Sequence, residues 1–278
     1  MPSLPKISII TPSLNQAIYI GEAIRSVVNQ QYGDFEHIIV DGVSTDSTIK
    51  VLNEYPHLTW ISEPDNGQSD ALNKGFQLAK GDIVGWLNAD ERYLPACFKA
   101  VSEVFEENPE VDILFGDCRW INESGLPFQL RRVPKFDLFT LKYHHVLYVQ
   151  TVATFIRRKI FDDGHFLDIN YHYAMDYEFF LRLALRGYRF AHVRKLLGDF
   201  RWHKQCKSDL HVRDQFRERE NALMRLDPLF NRIACPLTRK ALRIALKILA
   251  RAKYASGKLM RGYYFSQWIP ARYNQKVI

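Results

Sequence analysis

The run Ile83-Val84-Gly85-Trp86-Leu87 is apolar without a break and then stops in Asn88-Ala89-Asp90-Glu91. So short an apolar run reads as a buried strand. Its polar stop sets two oxygen-bearing side chains, Asn88 and Asp90, two residues apart at the strand's carboxyl end. Open α/β sheets hold their ligands at such an end. Oxygen ligands of this kind suit a hard cation such as Mg²⁺ or Mn²⁺, and a cation there neutralises a diphosphate. The same residues also suit an acidic turn that merely closes a strand.

The pattern repeats upstream. Lys6–Thr11, His37–Val40 and Leu58–Ser62 read as strands, and Ile18–Gln30, Ser47–Tyr55 and Gln68–Ala79 as helices. Strands alternating with helices at this spacing imply βαβ units and a mixed, mainly parallel, Rossmann-like sheet flanked by helices. Downstream, Leu94–Glu107 reads as a helix and Val111–Phe115 as a strand. Residues 118–174 are irregular and rich in aromatics, apart from a strand at Thr151–Arg157. Met175–Arg186 reads as a helix, Tyr188–Val193 and Leu197–Trp202 as two strands, and 208–226 and 236–256 as basic helices.

Charge divides the chain. Residues 1–202 hold 21 Lys and Arg against 26 Asp and Glu, whereas residues 203–278 hold 17 against 5. A basic tail calls for an anionic partner. No apolar run reaches transmembrane length, and the N-terminus lacks the regions of a signal peptide. The four cysteines (Cys97, Cys118, Cys206, Cys235) have no metal-ligand spacing and fit free thiols in a reducing compartment.

Several residues carry candidate chemistry. Pro12, in Thr11-Pro12-Ser13, fixes the backbone and leaves the turn after the first strand open. Asp41 ends the second strand, where a carboxylate accepts hydrogen bonds from a base or a ribose. Asp46 and Ser47 suit a ligand loop or a helix cap. Glu63-Pro64-Asp65-Asn66-Gly67 is a turn or a ligand contact, and Lys74 a phosphate contact or a solvated helix lysine. Glu91 reads as a weaker ligand or a solvent-facing acid. Asp176 opens a helix, whose positive end favours the ionised carboxylate that a proton acceptor needs. Alone, it reads equally as a helix cap, and Glu178 points off its face.

Five segments in order resemble the family 2 glycosyltransferases with a GT-A fold. They are Ile9–Asn15; Ile39–Thr48, with its Asp-Gly-x-Ser-x-Asp-x-Thr element; Asn66-Gly67 through Ala71-Leu72-Asn73-Lys74-Gly75; Trp86–Glu91; and Met175-Asp176-Tyr177-Glu178. The resemblance covers roughly residues 5–205. It implies a nucleotide-sugar donor held by Thr11, Pro12, Ser13, Asn15, Asp41, Ser44, Asp65, Asn73, Lys74, Asn88 and Ala89. It further implies a Mg²⁺ or Mn²⁺ ion at Asp90 with His203 beside it, and Asp176 as general base. Asn88 departs from the usual Asp-x-Asp and offers a neutral carbonyl to the metal or an amide to ribose. Gln150-Thr151 is a candidate acceptor contact, and His144, His145, His165 and His172 are assigned no role.

The expected layout is a glycosyltransferase domain over 1–207 and a basic helical extension over 208–278. Within the first, 1–117 binds the donor and 118–207 the acceptor. The expected activity is inverting transfer, from a UDP-sugar, to a saccharide or lipid-linked glycan in bacterial surface-polysaccharide assembly at the cytoplasmic face of the membrane. In the extension, Arg239, Arg243, Lys247 and Arg251 run beside a stripe of Leu242, Ala245, Leu246 and Leu249. With Tyr263, Tyr264, Phe265 and Trp268 beyond, 236–268 suits either a membrane surface or packing on the main domain. Nucleic acid is not expected as a partner, since no recognised module accompanies the charge. Two other classes compete. A sugar-nucleotide nucleotidyltransferase needs a Gly-rich, Arg-bearing loop where this chain has Thr11-Pro12-Ser13-Leu14-Asn15. A non-catalytic glycan- or lipid-binding protein would tolerate Asn88.

Overall fold

Alternation along the first strand, β1 (Ile7–Ser13), decides how the layers form. Ile7 and Ile9 face a cluster with Ala23 and Val27 of α1 (Ile20–Val28) and Phe98, Val101 and Phe105 of α4 (Cys97–Glu107). Ile10 faces the other way, toward Ala71, Leu72 and Phe76 of α3 (Gln68–Leu78). The sheet is therefore sandwiched between helices, and its central strands are apolar on both faces. The closest approach is at Gly75 of α3, where a Cβ would stand 2.2 Å from Ile10 Cγ2. The computed structural model describes residues 4–144, 147–203, 210–227, 229 and 235–263.

The nine-stranded sheet runs β3-β2-β1-β4-β8-β6-β9-β5, with β7 on the side of β6. Its first four strands, β3 (Thr59–Ser62), β2 (Phe35–Asp41), β1 and β4 (Ile83–Trp86), are parallel. The short α2 (Thr48–Leu52) follows β2. β8 (Thr154–Arg157) enters antiparallel between β4 and β6 (Ile113–Ile121). The sheet is thus mixed, parallel only in part. Pro12 is tolerated in β1 because the pairing with β4 ends at Ile10.

The sequence reading of 118–174 as irregular is corrected. This stretch holds β7 (Pro127–Arg131), α5 (Leu138–Tyr143) and α6 (Lys159–Asp162). Residues 188–202 form one strand, β9 (Phe190–Arg201), instead of two, and β5 (Arg92–Tyr93) pairs with it. α7 (Met175–Leu185) buries Phe179, Phe180 and Leu183 as its periodicity requires.

The basic helices pack onto this body. α8 (Val212–Leu226) contributes Ala222 and Leu223 to the same core as α7, and α9 (Pro236–Met260) contributes Ala250. Leu242, Leu246 and Tyr254 of α9 pack against that core, and Lys253 pairs with Asp137 at 2.6 Å. Lys207, Ser208, Cys206, His145, Tyr264, Phe265 and Trp268 lie outside the described residues.

Candidate active site

The carboxyl ends of β1, β2 and β4 converge with the start of α7. Asp41 is fully buried at the end of β2. Its oxygens accept the Ser44 N–H (2.8 Å), the Ser44 hydroxyl and the Ser62 hydroxyl (2.8 Å). Asn15 locks this loop to the one after β1. Its Oδ1 accepts the Thr45 N–H at 2.8 Å, and its own N–H reaches Ser44 Oγ at 2.7 Å. Asp46 accepts the N–H groups of Ala17 (3.1 Å) and Thr48 (2.8 Å), the latter an Asx turn one residue ahead of the cap of α2, Ser47, whose side chain makes no capping bond. Gly42 admits the next loop, since a Cβ there would stand 2.6 Å from Asp65 Oδ2. Ser13 keeps a buried hydroxyl without a hydrogen-bond partner at the end of β1.

Three expected donor contacts have other employment. Thr11 is fully buried and its hydroxyl meets His37 Nε2 at 2.9 Å. Burial holds that imidazole down to about 3, so it is neutral. Asn73 clamps the Leu167 backbone with both ends of its amide, at 2.9 Å each. Lys74 donates to the Pro64 carbonyl at 2.8 Å and pairs with Glu63 at 2.8 Å, so it fastens the loop after β3. Ser44, Asp65 and Ala89 stay at the strand ends where the sequence put them.

The end of β4 departs most from expectation. Asn88 turns its carbonyl oxygen to Gln68 Nε2 (2.8 Å) and Trp86 Nε1 (2.9 Å), which occupies the oxygen a cation would need. Glu91, read as solvent-facing, is buried. One of its oxygens accepts the Asn88 N–H at 3.1 Å, and the other has no hydrogen-bond partner. Burial, then the charge of Asp90, and more weakly that of Asp176, push its carboxyl well above the ordinary glutamate range.

Asp90 and His203, 113 residues apart, come together with His203 Nε2 2.9 Å from Asp90 Oδ2. Tyr19 stands beside the imidazole, ring centres 5.3 Å apart. Beneath them lies an ionic network built on two buried groups, Arg201 and Asp199. Arg201 donates to the Asp90 carbonyl (2.9 Å) and to Glu22 (2.6 Å), and Asp199 holds Arg92 (2.7 Å) and Arg119 (2.6 Å). Such a network fixes position more than it adds stability. Among the described residues no cluster of three or more His, Cys, Asp or Glu could hold a metal. Asp90 and His203 therefore offer a two-ligand, open site. That fits a cation completed by phosphate oxygens and water.

Asp176 sits in the first turn of α7, half-buried, with Oδ1 accepting the Tyr177 N–H at 2.7 Å. The helix end favours its anion. Burial outweighs that and pushes the carboxyl above the ordinary aspartate range, against the pull of Arg219. A raised pKa makes it a better proton acceptor. Glu178 is fully buried and neutralised by Arg182 (2.9 Å) and Arg225 (2.8 Å), so its part is structural.

The loop before Asp176 is held from two sides. Ser69 of α3 reaches the Tyr171 carbonyl (3.1 Å) and the Met175 sulfur (2.9 Å). On the other side one carboxylate of α8, Glu218, accepts three backbone N–H groups, from His172 (3.1 Å), Tyr173 (2.7 Å) and Ala174 (2.8 Å). Neither Glu218, Gln68 nor Arg201 was singled out from sequence. Only Arg201 carried a signal, as a charged residue in an apolar strand pattern beside His203.

This mixed sheet, with its ligand-facing strand ends, has the GT-A architecture of glycosyltransferases. The structure of TarS from S. aureus in complex with UDP-GlcNAc superimposes with a TM-score of 0.66 at 18% identity, over 96% of this chain and 77% of that one. A mannosyltransferase from Pyrobaculum calidifontis, in complex with GDP-Man and Mn²⁺, gives 0.64 at 19% identity, over 98% and 78%. In sequence, an uncharacterized glycosyltransferase of Mycobacterium tuberculosis is 31% identical over 195 residues, 66% of this chain and 71% of that protein. A PGL/p-HBAD biosynthesis glycosyltransferase of Mycobacterium bovis is 31% identical over 184 residues, 64% and 69% respectively. The family profile described as Glycosyl transferase family 2 matches residues 8–164. The chain belongs to the family 2 glycosyltransferases and is a transferase enzyme.

Proposed function

We propose that the protein is an inverting transferase that moves a sugar from a UDP-sugar to a hydroxyl of a saccharide or lipid-linked acceptor. The observation that carries the reading is the Asp90–His203 contact at 2.9 Å, just past the end of β4 and next to buried Glu91. The nucleotide-sugar complexes of the two structural neighbours, one of them with Mn²⁺, support the donor class and the cation.

In this reading Ser13, the Asp41–Ser44 loop and Asp65 surround the nucleotide, and Asn88 binds ribose through its amide nitrogen. Asp90 and His203 would hold Mg²⁺ or Mn²⁺, whose charge offsets that gathered by the departing nucleoside diphosphate. Asp176 takes the proton of the acceptor hydroxyl. The acceptor oxygen bonds to the anomeric carbon while the bond to the diphosphate oxygen breaks on the opposite face. The configuration inverts. Among the described residues no helix is long and apolar enough to cross a membrane. We place the enzyme peripherally, at the cytoplasmic face of the membrane, working on surface polysaccharide or glycolipid.

A thermal-shift screen of nucleotides and nucleotide sugars, with and without Mn²⁺, tests the donor. UDP and one UDP-sugar should stabilise the chain, more so with Mn²⁺. Proton NMR of the product should show the inverted anomer. A retained anomer, or stabilisation by nucleoside triphosphates alone, would overturn the reading.

A further inference from the structure

Half of the apolar stripe read from the sequence is used inside the protein, while Ala245 and Leu249 stay exposed. Leu242 and Leu246 pack against the core with Ala250 and Tyr254. The structure exposes a different row. Leu237, Ile244 and Ile248 are 78%, 52% and 60% exposed, and Leu249, Leu259 and Met260 are exposed as well. With about 100° per residue, Leu237, Ala241, Ile244, Ile248 and Leu259 fall in an arc of about 60°. Lys240, Lys247 and Arg251 line one border of this arc. Ala245 and Leu249 widen it on the other side, toward Lys253 and Arg239.

We infer that this outer face of α9 lies on an anionic lipid surface, with its axis in the plane of the headgroups. The inference deepens the peripheral placement proposed above and rests on it. Charge selects the occupant. The helix has seven Lys and Arg and no acidic residue, and none follows Asp227 to the end of the sequence. A second copy would bring the same cations face to face, so self-association is disfavoured. An anionic bilayer meets both features at once. The aliphatic row enters the acyl boundary while the bordering Lys and Arg stems run along it and leave their charges at phosphate level. The helix spans 25 residues, so the contact extends about 37 Å along the surface.

The test is co-sedimentation of the full chain with vesicles of phosphatidylcholine alone or with one third phosphatidylglycerol, at low and high salt. The chain should pellet with the anionic vesicles only, and less at high salt. Ile244→Asn with Ile248→Asn should weaken this about tenfold or more, and so should Lys240→Glu with Lys247→Glu and Arg251→Glu. Unchanged melting temperatures show that the variants fold, as expected for positions that are exposed or, at Lys247, half-buried. Variants that pellet as well as the parent overturn the inference. So does a dimer on size-exclusion chromatography that the double asparagine variant dissolves, or binding to polyglutamate but not to vesicles. The donor-dependent thermal shift is measured on the same samples. If it persists while vesicle binding is absent, the lipid inference fails and the transferase reading stands. If vesicle binding persists without any donor shift, the reverse holds.

Discussion

Glu218 sits on α8, outside the segments that carry the family resemblance, yet it holds the backbone that presents Asp176. Replacing it with Ala removes the acceptor of three N–H groups. Water replaces it readily at exposed His172, partly at half-buried Tyr173, and poorly at buried Ala174. With about 1.5–3 kcal/mol for each hydrogen bond to a charged group, and the exposed one discounted, the loss is about 2–4 kcal/mol. For a chain of this size that lowers the melting temperature by about 3–7 °C. A base displaced by 1 Å costs about 100-fold in turnover. Glu218 also raises, and Arg219 lowers, the Asp176 carboxyl. Its removal should therefore move the acid limb of the kcat profile to lower pH, which loss of a merely structural contact would not do. Glu218→Gln keeps one acceptor oxygen and should fall between parent and Ala. Donor KM should stay within a few-fold. Calorimetric melting and initial rates against pH check these values. Parent-like melting and turnover in Glu218→Ala would refute the clamp.

Other perturbations have definite signs. Asp176→Asn should cut transfer by about 100- to 10,000-fold and leave nucleotide binding intact, read by rates and titration calorimetry. In the parent, kcat/KM should fall as pH drops through a pKa above the ordinary aspartate value, because the base must be ionised. Glu91 has a folded-state pKa above its unfolded one, so it supports the fold fully at low pH and loses that contribution as pH rises toward the folded value. Glu91→Gln, melted in chelator, should match the parent near about pH 4 and exceed it at about pH 8. Gly75→Ala should cost about 1–3 kcal/mol, since its Cβ would stand 2.2 Å from Ile10 Cγ2, and denaturant titration measures it.

The first half of the fold was legible because its signals are local. Apolar runs such as Ile83–Leu87 and the helical period of 18–30 need no knowledge of distant partners. β7, α5 and α6 were hidden because they are short and aromatic-rich, and are set by contacts far along the chain, as Lys253 donating to Asp137 at the head of α5 shows. β9 read as two strands because exposed Arg194 and Lys195 interrupt its pattern, beside the register shift opposite Asp117. At the site, Asp90, His203 and Asp176 were named from motifs, and the structure brings the first two into contact. Thr11 and Asn73 carried the right chemistry for a ligand, but their partners His37 and Leu167 are invisible in any local window. Burial of Glu91 was equally beyond reach, since it depends on the layers that close over the end of β4.

The proposed mechanism needs one cation held by Asp90 and His203, and a base at Asp176. Titration calorimetry of UDP, with and without Mn²⁺, on the parent, Asp90→Ala, His203→Ala and Asp176→Asn tests it most directly. Mn²⁺ should tighten UDP binding in the parent and in Asp176→Asn, not at all in Asp90→Ala, and weakly in His203→Ala. Equal Mn²⁺ dependence in all four proteins would contradict it.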